Sequence, residues 1–342
     1  MYGFEPQQEF EVTKKLYRTL TIILIIISLY SFGWVKGYSE EREVYLGGMT
    51  AGFVIDNEGA TIIGVNEITT INGMRAPAGD AGIKTGDILI SLDGKTVNTA
   101  KDIASVLSVY DGNGITAVLE RDGEIILKIL YPEKDISGEY KLGLFIRDEF
   151  TGIGTITYIE EDGTFGALGH PVSDKGKGKP IKINSGKMYL CTVMGVTKGV
   201  RGKAGEIRGL FDGNEIIGNV KSNTVKGIFG KIMPNIKDSL TKKTTIGDPN
   251  PGNAQILCTI EGNTVECFSA SIIKAASSAA DNKDIVIKIT DKELIEKTGG
   301  ILQGMSGSPI LQDGKLVGAI THVFLNDPEK GFGISIKNMM AG

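Results

Sequence analysis

Ser306 sits in the run Gly304-Met305-Ser306-Gly307-Ser308-Pro309, between turn-forming residues and an apolar stretch that begins at Ile310. A serine hydroxyl is a weak nucleophile at neutral pH. It attacks a carbonyl only with a base within hydrogen-bond reach, usually an imidazole, and with amide donors aimed at the developing oxyanion. The glycines meet the last need. They permit a turn that points the N–H groups of Gly304 and Ser306 into one small hole, and Pro309 stiffens the exit. The chain holds only two histidines, His170 and His322, so the base is one of these. His170 lies in the Gly-rich corner FGALGHPVSD, where Ala167 and Gly169 leave room around the ring. His322 lies in the apolar alternation AITHVF, the setting of a hydrogen-bonded core residue. The pattern favours His170.

Other chemistries fit poorly. Two histidines and the lack of any Cys-x-x-Cys pair argue against a zinc site, and nothing calls for a cofactor. The Lys/Gly run after His170 lacks the order of a phosphate-binding P-loop and reads as a solvated loop. A net charge of -4 carries no nucleic-acid footprint. Of the three cysteines, Cys258 and Cys267 bracket CTIEGNTVEC. If Gly262 and Asn263 make a two-residue turn, these two face each other as a cross-strand disulfide or, less strained, as two buried thiols.

The elements that must position Ser306 and a histidine are mostly strands. Glycine is abundant, 47 residues, and short Val/Ile-rich runs bordered by Gly, Asn or Asp recur throughout. Residues 20–35, LTIILIIISLYSFGWV, carry no charge; Lys14, Lys15 and Arg18 precede them and Trp34 and Tyr38 mark the far end. This reads as one transmembrane signal-anchor helix, about residues 20–36, with the first residues cytoplasmic and everything beyond Lys36 outside. The alternative is a cleaved signal peptide, for which Ser31 and Gly33 make a weak cleavage site. Residues 43–131 then read as a small α+β domain. Hairpin turns are expected at Asp93-Gly94 and Asp122-Gly123, and a helix capped by Thr99 and Asp102 presents Ile103, Val106, Leu107 and Tyr110 on one face. Residues 132–139 read as a short linker. Residues 140–342 read as an all-β sandwich or barrel, with one weak helical stretch at SASIIKAAS.

Three resemblances sharpen this reading. The stretch AGDAGIKTGDILISLDGKTV and the helix after it resemble a PDZ domain. That resemblance implies an extended peptide added as a strand beside a loop of Gly and apolar residues. The matching loop is TAGFVI, with Ala51 supplying an amide, Gly52 allowing close approach and Phe53 lining the pocket. Gly-x-Ser-Gly-x-Pro, with a strand after it, resembles the nucleophile motif of trypsin-like proteases and not the elbow of α/β hydrolases. Finally, GIGTITYIEEDGTFGALGHPVSD together with TDKELIEKTGGILQGMSGSPILQDGKLVGAITHVFLNDPEKGFGI resembles the stage IV sporulation protein B serine peptidases, over essentially the whole chain after the anchor.

This last resemblance implies a mainly β chain: one transmembrane helix, a PDZ-like α+β domain, then a trypsin-like double β-barrel peptidase. It implies Ser306 as nucleophile, His170 as base and Asp291 as the third member. Spacing leaves that carboxylate open: Asp212 lies nearer the usual position, Asp174 follows His170 closely, and Asp291 suits a helix cap. The implied substrate is a membrane-anchored regulator of an intramembrane protease. It would be cleaved between the two membranes around the forespore, with self-cleavage as well. The PDZ ligand would be the chain itself or a regulator. The rival functions are a non-catalytic PDZ scaffold and a general extracytoplasmic quality-control protease.

Overall fold

The computed structural model describes residues 17, 19–23, 42–173, 180–211, 213, 215–238, 240, 242–276 and 282–342. The chain divides into two compact units, Met1–Arg42 and Glu43–Gly342. Of the first, Tyr17 and residues 19–23 are helical; the rest of the expected anchor lies outside the described residues. Among the described residues no helix is long and apolar enough to cross a membrane.

The second unit is built on two six-stranded barrels. In the amino-side barrel, the strand Thr50–Val65 pairs with Leu144–Ile159, and the ring continues through Thr164–Ala167, Gly227–Ile232, Ile216–Thr224 and Ile183–Leu190. The last strand returns to Thr50–Val65 and closes the ring. Its interior is filled by Phe53, Ile55, Ile156, Phe165, Met188 and neighbours, from alternate positions of the strands, as side-chain period two requires. The carboxyl-side barrel closes in the order Gly252–Cys258, Glu266–Ala275, Ile285–Ile289, Asp327–Ser335, Lys315–Phe324 and Pro309–Gln312. Ile256, Ile272, Ile285, Ile287, Ile310 and Ile320 fill it. The stretch SASIIKAAS, expected as a weak helix, lies largely in the Glu266–Ala275 strand, its apolar residues alternating between barrel interior and surface.

A small lobe grows out of the first barrel. Thr50–Val65 and Leu144–Ile159 both run past the barrel rim as one long ribbon, and their far ends carry Ile88–Leu92, Ile115–Arg121 and Glu124–Leu130. The Asp93-Gly94 and Asp122-Gly123 turns form with positive φ at both residues, 45° and 75°, 55° and 92°. The helix Ala100–Leu107 begins with the Thr99/Asp102 capping box. Arg121 grips the buried Asp87 at 2.6 and 2.8 Å. Burial pushes that carboxyl up. The guanidinium bonds and the Lys84 amide outweigh it and hold it below the ordinary carboxylate range.

Three expectations need correction. First, residues 43–131 do not form a domain of their own: Glu43–Leu46 pairs with the Leu144–Ile159 strand, and the first half of Thr50–Val65 is a stave of the amino-side barrel. Second, residues 132–139 are not a free linker. Glu133–Lys134 pairs with Tyr140–Lys141, and Asp135 accepts the amides of Ser137 and Glu139 to close the turn. Third, Cys258 lies opposite Glu266, and Cys267 opposite Leu257. Gly262 exchanges backbone hydrogen bonds with Val193, so the connection is docked on another strand and the register moves by one. Neighbouring positions point to opposite faces; Cys258 is buried, Cys267 is exposed, and both are free thiols.

Candidate active site

His170 enters from the amino-side barrel. The strand Thr164–Ala167 ends at Ala167, and Leu168 and Gly169 both take left-handed conformations, φ 67° and 68°. This tight reversal turns the next residue out of the sheet toward the second barrel. For leucine the conformation is strained. It is held by burial of the side chain and by donation from the Leu168 amide to Thr155 O at 3.2 Å. Ser306 enters from the carboxyl-side barrel, on the turn before Pro309–Gln312. Gly304 and Gly307 take φ of 99° and 96° there. Both residues open into one cavity of about 860 Å³.

The nucleophile turn is clamped by the opposite barrel. Thr155 N donates to Ser306 O at 2.9 Å, Thr155 Oγ1 donates to Gly304 O at 2.9 Å, and Thr157 Oγ1 donates to Gly307 O at 2.7 Å. Both hydroxyls reach the turn, Thr157 from the point where its strand shifts register against Thr164–Ala167. At Gly307 an added Cβ would stand 2.0 Å from Thr155 O, so only glycine permits this approach. With the carbonyls of Gly304, Ser306 and Gly307 engaged, the amides point to other work. Among the described residues nothing accepts from the amides of Gly304 or Ser306, and both residues line the cavity.

The His170 ring is fixed by its neighbour. Nδ1 lies 2.9 Å from Pro171 O. A carbonyl can only accept, so this contact places the proton on Nδ1 and leaves Nε2 with a lone pair for a base. Burial pushes the His170 pKa down, and the Pro171 carbonyl opposes that shift weakly. The neutral, proton-accepting form is therefore favoured to lower pH than for a free imidazole. No carboxylate among the described residues contributes to it.

Asp291 is placed elsewhere. It is the N-cap of the helix Lys292–Thr298, with Oδ1 accepting from the Leu294 amide at 3.0 Å and Oδ2 from the Ser269 amide at 3.3 Å. It does not line the cavity. Asp174 and Asp212 lie outside the described residues. His322, read as a core residue, is instead exposed and lines the cavity beside His170, with ring centroids 5.0 Å apart and the planes tilted by 40°. Its strand shifts register between Ile320 and His322, and this bulge re-aims the side chain. The bulged residue is Thr321, whose carbonyl accepts the Ser306 hydroxyl at 2.8 Å. The Ser306 hydroxyl proton thus points to a backbone oxygen and not to His170.

The peptide loop expected at Ala51, Gly52 and Phe53 is corrected outright. These residues are paired on both edges: Ala51 with Gly154 and Leu190, Gly52 with Ile153 and Tyr189, Phe53 with Gly152 and Met188. No edge remains for an added strand, and Ala51 and Phe53 are buried. A second cavity, about 540 Å³, lies in the small lobe between the helix Ala100–Leu107 and the start of Leu144–Ile159. Ile103, Ala104 and Leu107 form one wall, and Gly143, Leu144, Phe145 and Ile146 the other. Gly143 has φ 72°, and a Cβ there would meet Asn66 O at 2.2 Å. Gly143 lies in KLGLFI, a Gly between apolar residues much like TAGFVI.

Comparison with known proteins gives matches of three kinds. Proteins named as zinc metalloproteases match short segments. One from Clostridium perfringens is 29% identical over 69 residues, 20% of this chain and 21% of that one. One from Brucella suis is 26% identical over 106 residues, 30% of this chain and 28% of that one. The chain thus spans 21% and 28% of the length of these curated relatives. Among solved structures, the inactive form of the Rv3671c protease aligns with TM-score 0.33 and 16% identity, over 55% of this chain and 81% of that one. The active form from Mycobacterium tuberculosis gives 0.31 and 14%, over 56% and 72%. The profile described as SpoIVB peptidase S55 matches residues 138–340, a span that holds the base corner, the nucleophile turn and the clamp between them. The chain belongs to the SpoIVB peptidase S55 family and is a serine peptidase.

Proposed function

We propose that this chain is a membrane-tethered endopeptidase in which Ser306 attacks the peptide carbonyl and His170 takes the proton. The observation that carries this reading is one cavity holding both side chains, with the amides of Gly304 and Ser306 unclaimed beside them. In the resting geometry the Ser306 hydroxyl donates to Thr321 O. Rotation about its side-chain bond redirects the proton to His170 Nε2. The alkoxide forms a bond to the carbonyl carbon, and the oxyanion is received by the two amides. His170 then returns the proton to the leaving amine. Each oxyanion donor is typically worth about 3 kcal/mol of transition-state stabilisation. The Pro171 carbonyl holds the working tautomer of His170, a task that a carboxylate performs in related chemistry.

The substrate reading follows the family resemblance: a membrane-anchored regulator of an intramembrane protease, cut outside the cytoplasmic membrane during sporulation, with self-cleavage. The expected anchor at about residues 20–36 would hold the enzyme at that surface. The small lobe is read as PDZ-like, with its peptide site at the groove of Ile103, Leu107, Gly143 and Leu144 and an extended peptide laid along the open edge of Leu144–Arg147. The test uses the full chain in membranes and a fluorophosphonate probe, which labels an activated serine. Wild type is expected to label and to stay with the membrane after alkaline extraction. Ser306→Ala is expected to lose labelling with an unchanged melting temperature. Undiminished labelling of Ser306→Ala refutes the nucleophile, and release by alkali refutes the anchor.

A further inference from the structure

The cavity that holds the reacting pair contains a second imidazole. His322 sits one residue beyond the bulge at Thr321, on the strand whose carbonyl holds the Ser306 hydroxyl. Its ring centroid is 5.0 Å from that of His170, with a 40° tilt. The side chain is exposed, and it is exposed because the bulge changes the phase of the strand at that point.

We propose that His322 is a positioning residue for His170, supporting the base while its own ring is neutral and disabling it once that ring is protonated. The inference rests on the reading of Ser306 and His170 as the reacting pair. Catalysis makes His170 cationic as it takes the Ser306 proton. A neutral ring 5.0 Å away presents polarisable surface to that cation and limits the swing of the His170 side chain. A protonated ring at the same distance repels it, since like charges this close disfavour one another. Of the described residues lining the cavity, the titratable side chains are His170, His322 and Lys283, and none is a carboxylate. Lys283 lies over the Phe332 ring at 5.1 Å, and Phe332 is the cross-strand partner of His322. Next to His322 on its own strand, Thr321 and Val323 carry no charge.

The switch has a defined sign. Protonation of His322 lowers the rate partway, and protonation of His170 abolishes it. The acid limb therefore has two steps. The test follows the rate of fluorophosphonate labelling of the full chain against pH for wild type, His322→Gln and His322→Phe. Both variants should show a single-step acid limb. At about pH 8 His322→Gln should be roughly two- to fivefold slower, the loss of one ring–cation contact, and His322→Phe should lie nearer wild type because it keeps a ring. Profiles that superimpose on wild type overturn the proposal. So does an inactive, folded His322→Gln beside an active His170→Gln, which makes His322 the base. If His322→Gln does not fold, His322→Phe decides, and a two-step limb in it is fatal. Ser306→Ala in the same series keeps the two readings apart: if it labels, the nucleophile assignment has failed; if it does not, a superimposed His322 profile condemns this inference alone.

Discussion

The two barrels have the same number of staves but opposite relations to the chain. The carboxyl-side barrel is drawn from continuous sequence, Gly252–Cys258 to Asp327–Ser335. The amino-side barrel is interrupted: one stave is Thr50–Val65, the next is Leu144–Ile159, and the small lobe is spliced between them. The contiguous barrel carries Ser306 on a glycine-rich turn. The interrupted barrel carries His170 and also the two threonines that hold that turn. The cavity is thus a joint. Ser306 and the residues that fix its backbone come from different barrels, so its order depends on their contact as much as on either fold. The ribbon of Thr50–Val65 and Leu144–Ile159 belongs to barrel and small lobe alike, and this ties the groove at Gly143 to the clamp at Thr155 along one strand.

The sharpest way to break the joint is Gly307→Ala. The new Cβ would fall 2.0 Å from Thr155 O and 2.6 Å from Leu168 N, at a φ of 96° that alanine resists. Both contacts are backbone, so neither yields by a rotamer change. A loss of about 3 kcal/mol is expected, the upper part of the overpacking range, with loss of fluorophosphonate labelling. Chemical denaturation and labelling check it. A stable, active variant would mean that the barrels do not meet at this turn. Thr157→Val is gentler. It keeps shape but leaves the Gly307 carbonyl without its donor inside a buried contact, at a cost of about 1–3 kcal/mol. Labelling should fall along with the melting temperature. The same substitution in a solvent-facing threonine of the small lobe, Thr69, should change neither.

The difference between the barrels also decides how much could be read from sequence. Contiguous strands with Asp-Gly turns announce themselves, because each alternation is local and each turn has its own chemistry. The residues with chemical potential were visible for the same reason: two histidines in the chain and one Gly-Met-Ser-Gly motif leave few choices. The splice was not visible. TAGFVI and KLGLFI share the same composition of glycine and apolar residues. Only the pairing of Thr50–Val65 on both edges shows that the first is a barrel stave, and only the one edge left open along the start of Leu144–Ile159 shows that the second faces a groove. The clamp was hidden too, since Thr155 and Thr157 look like ordinary β-branched strand residues until the nucleophile turn is laid against them. His322 was misplaced because alternation assumes an unbroken strand, and one bulge inverts it.

Asp291 gives the smallest expected effect and the finest test of where the site's parts come from. Its two oxygens take the amides of Leu294 and Ser269, so its work is to start a helix of the contiguous half. Asparagine caps a helix about as well as aspartate, whereas alanine does not. Asp291→Ala should therefore lose about 1 kcal/mol of stability, and Asp291→Asn less, since it keeps the cap oxygen and gives up only the longer bond from Ser269, with labelling of Ser306 retained in both. The pair of variants separates two jobs that a carboxylate can have. A cap needs an acceptor oxygen and tolerates the amide. An orienter of His170 needs the charge, and its amide replacement typically costs on the order of 10⁴ in rate. Loss of that size in a stable Asp291→Asn would mean that the catalytic cleft recruits Asp291 by rearrangement from its cap. Retained labelling would leave the Pro171 carbonyl as the group that holds the base.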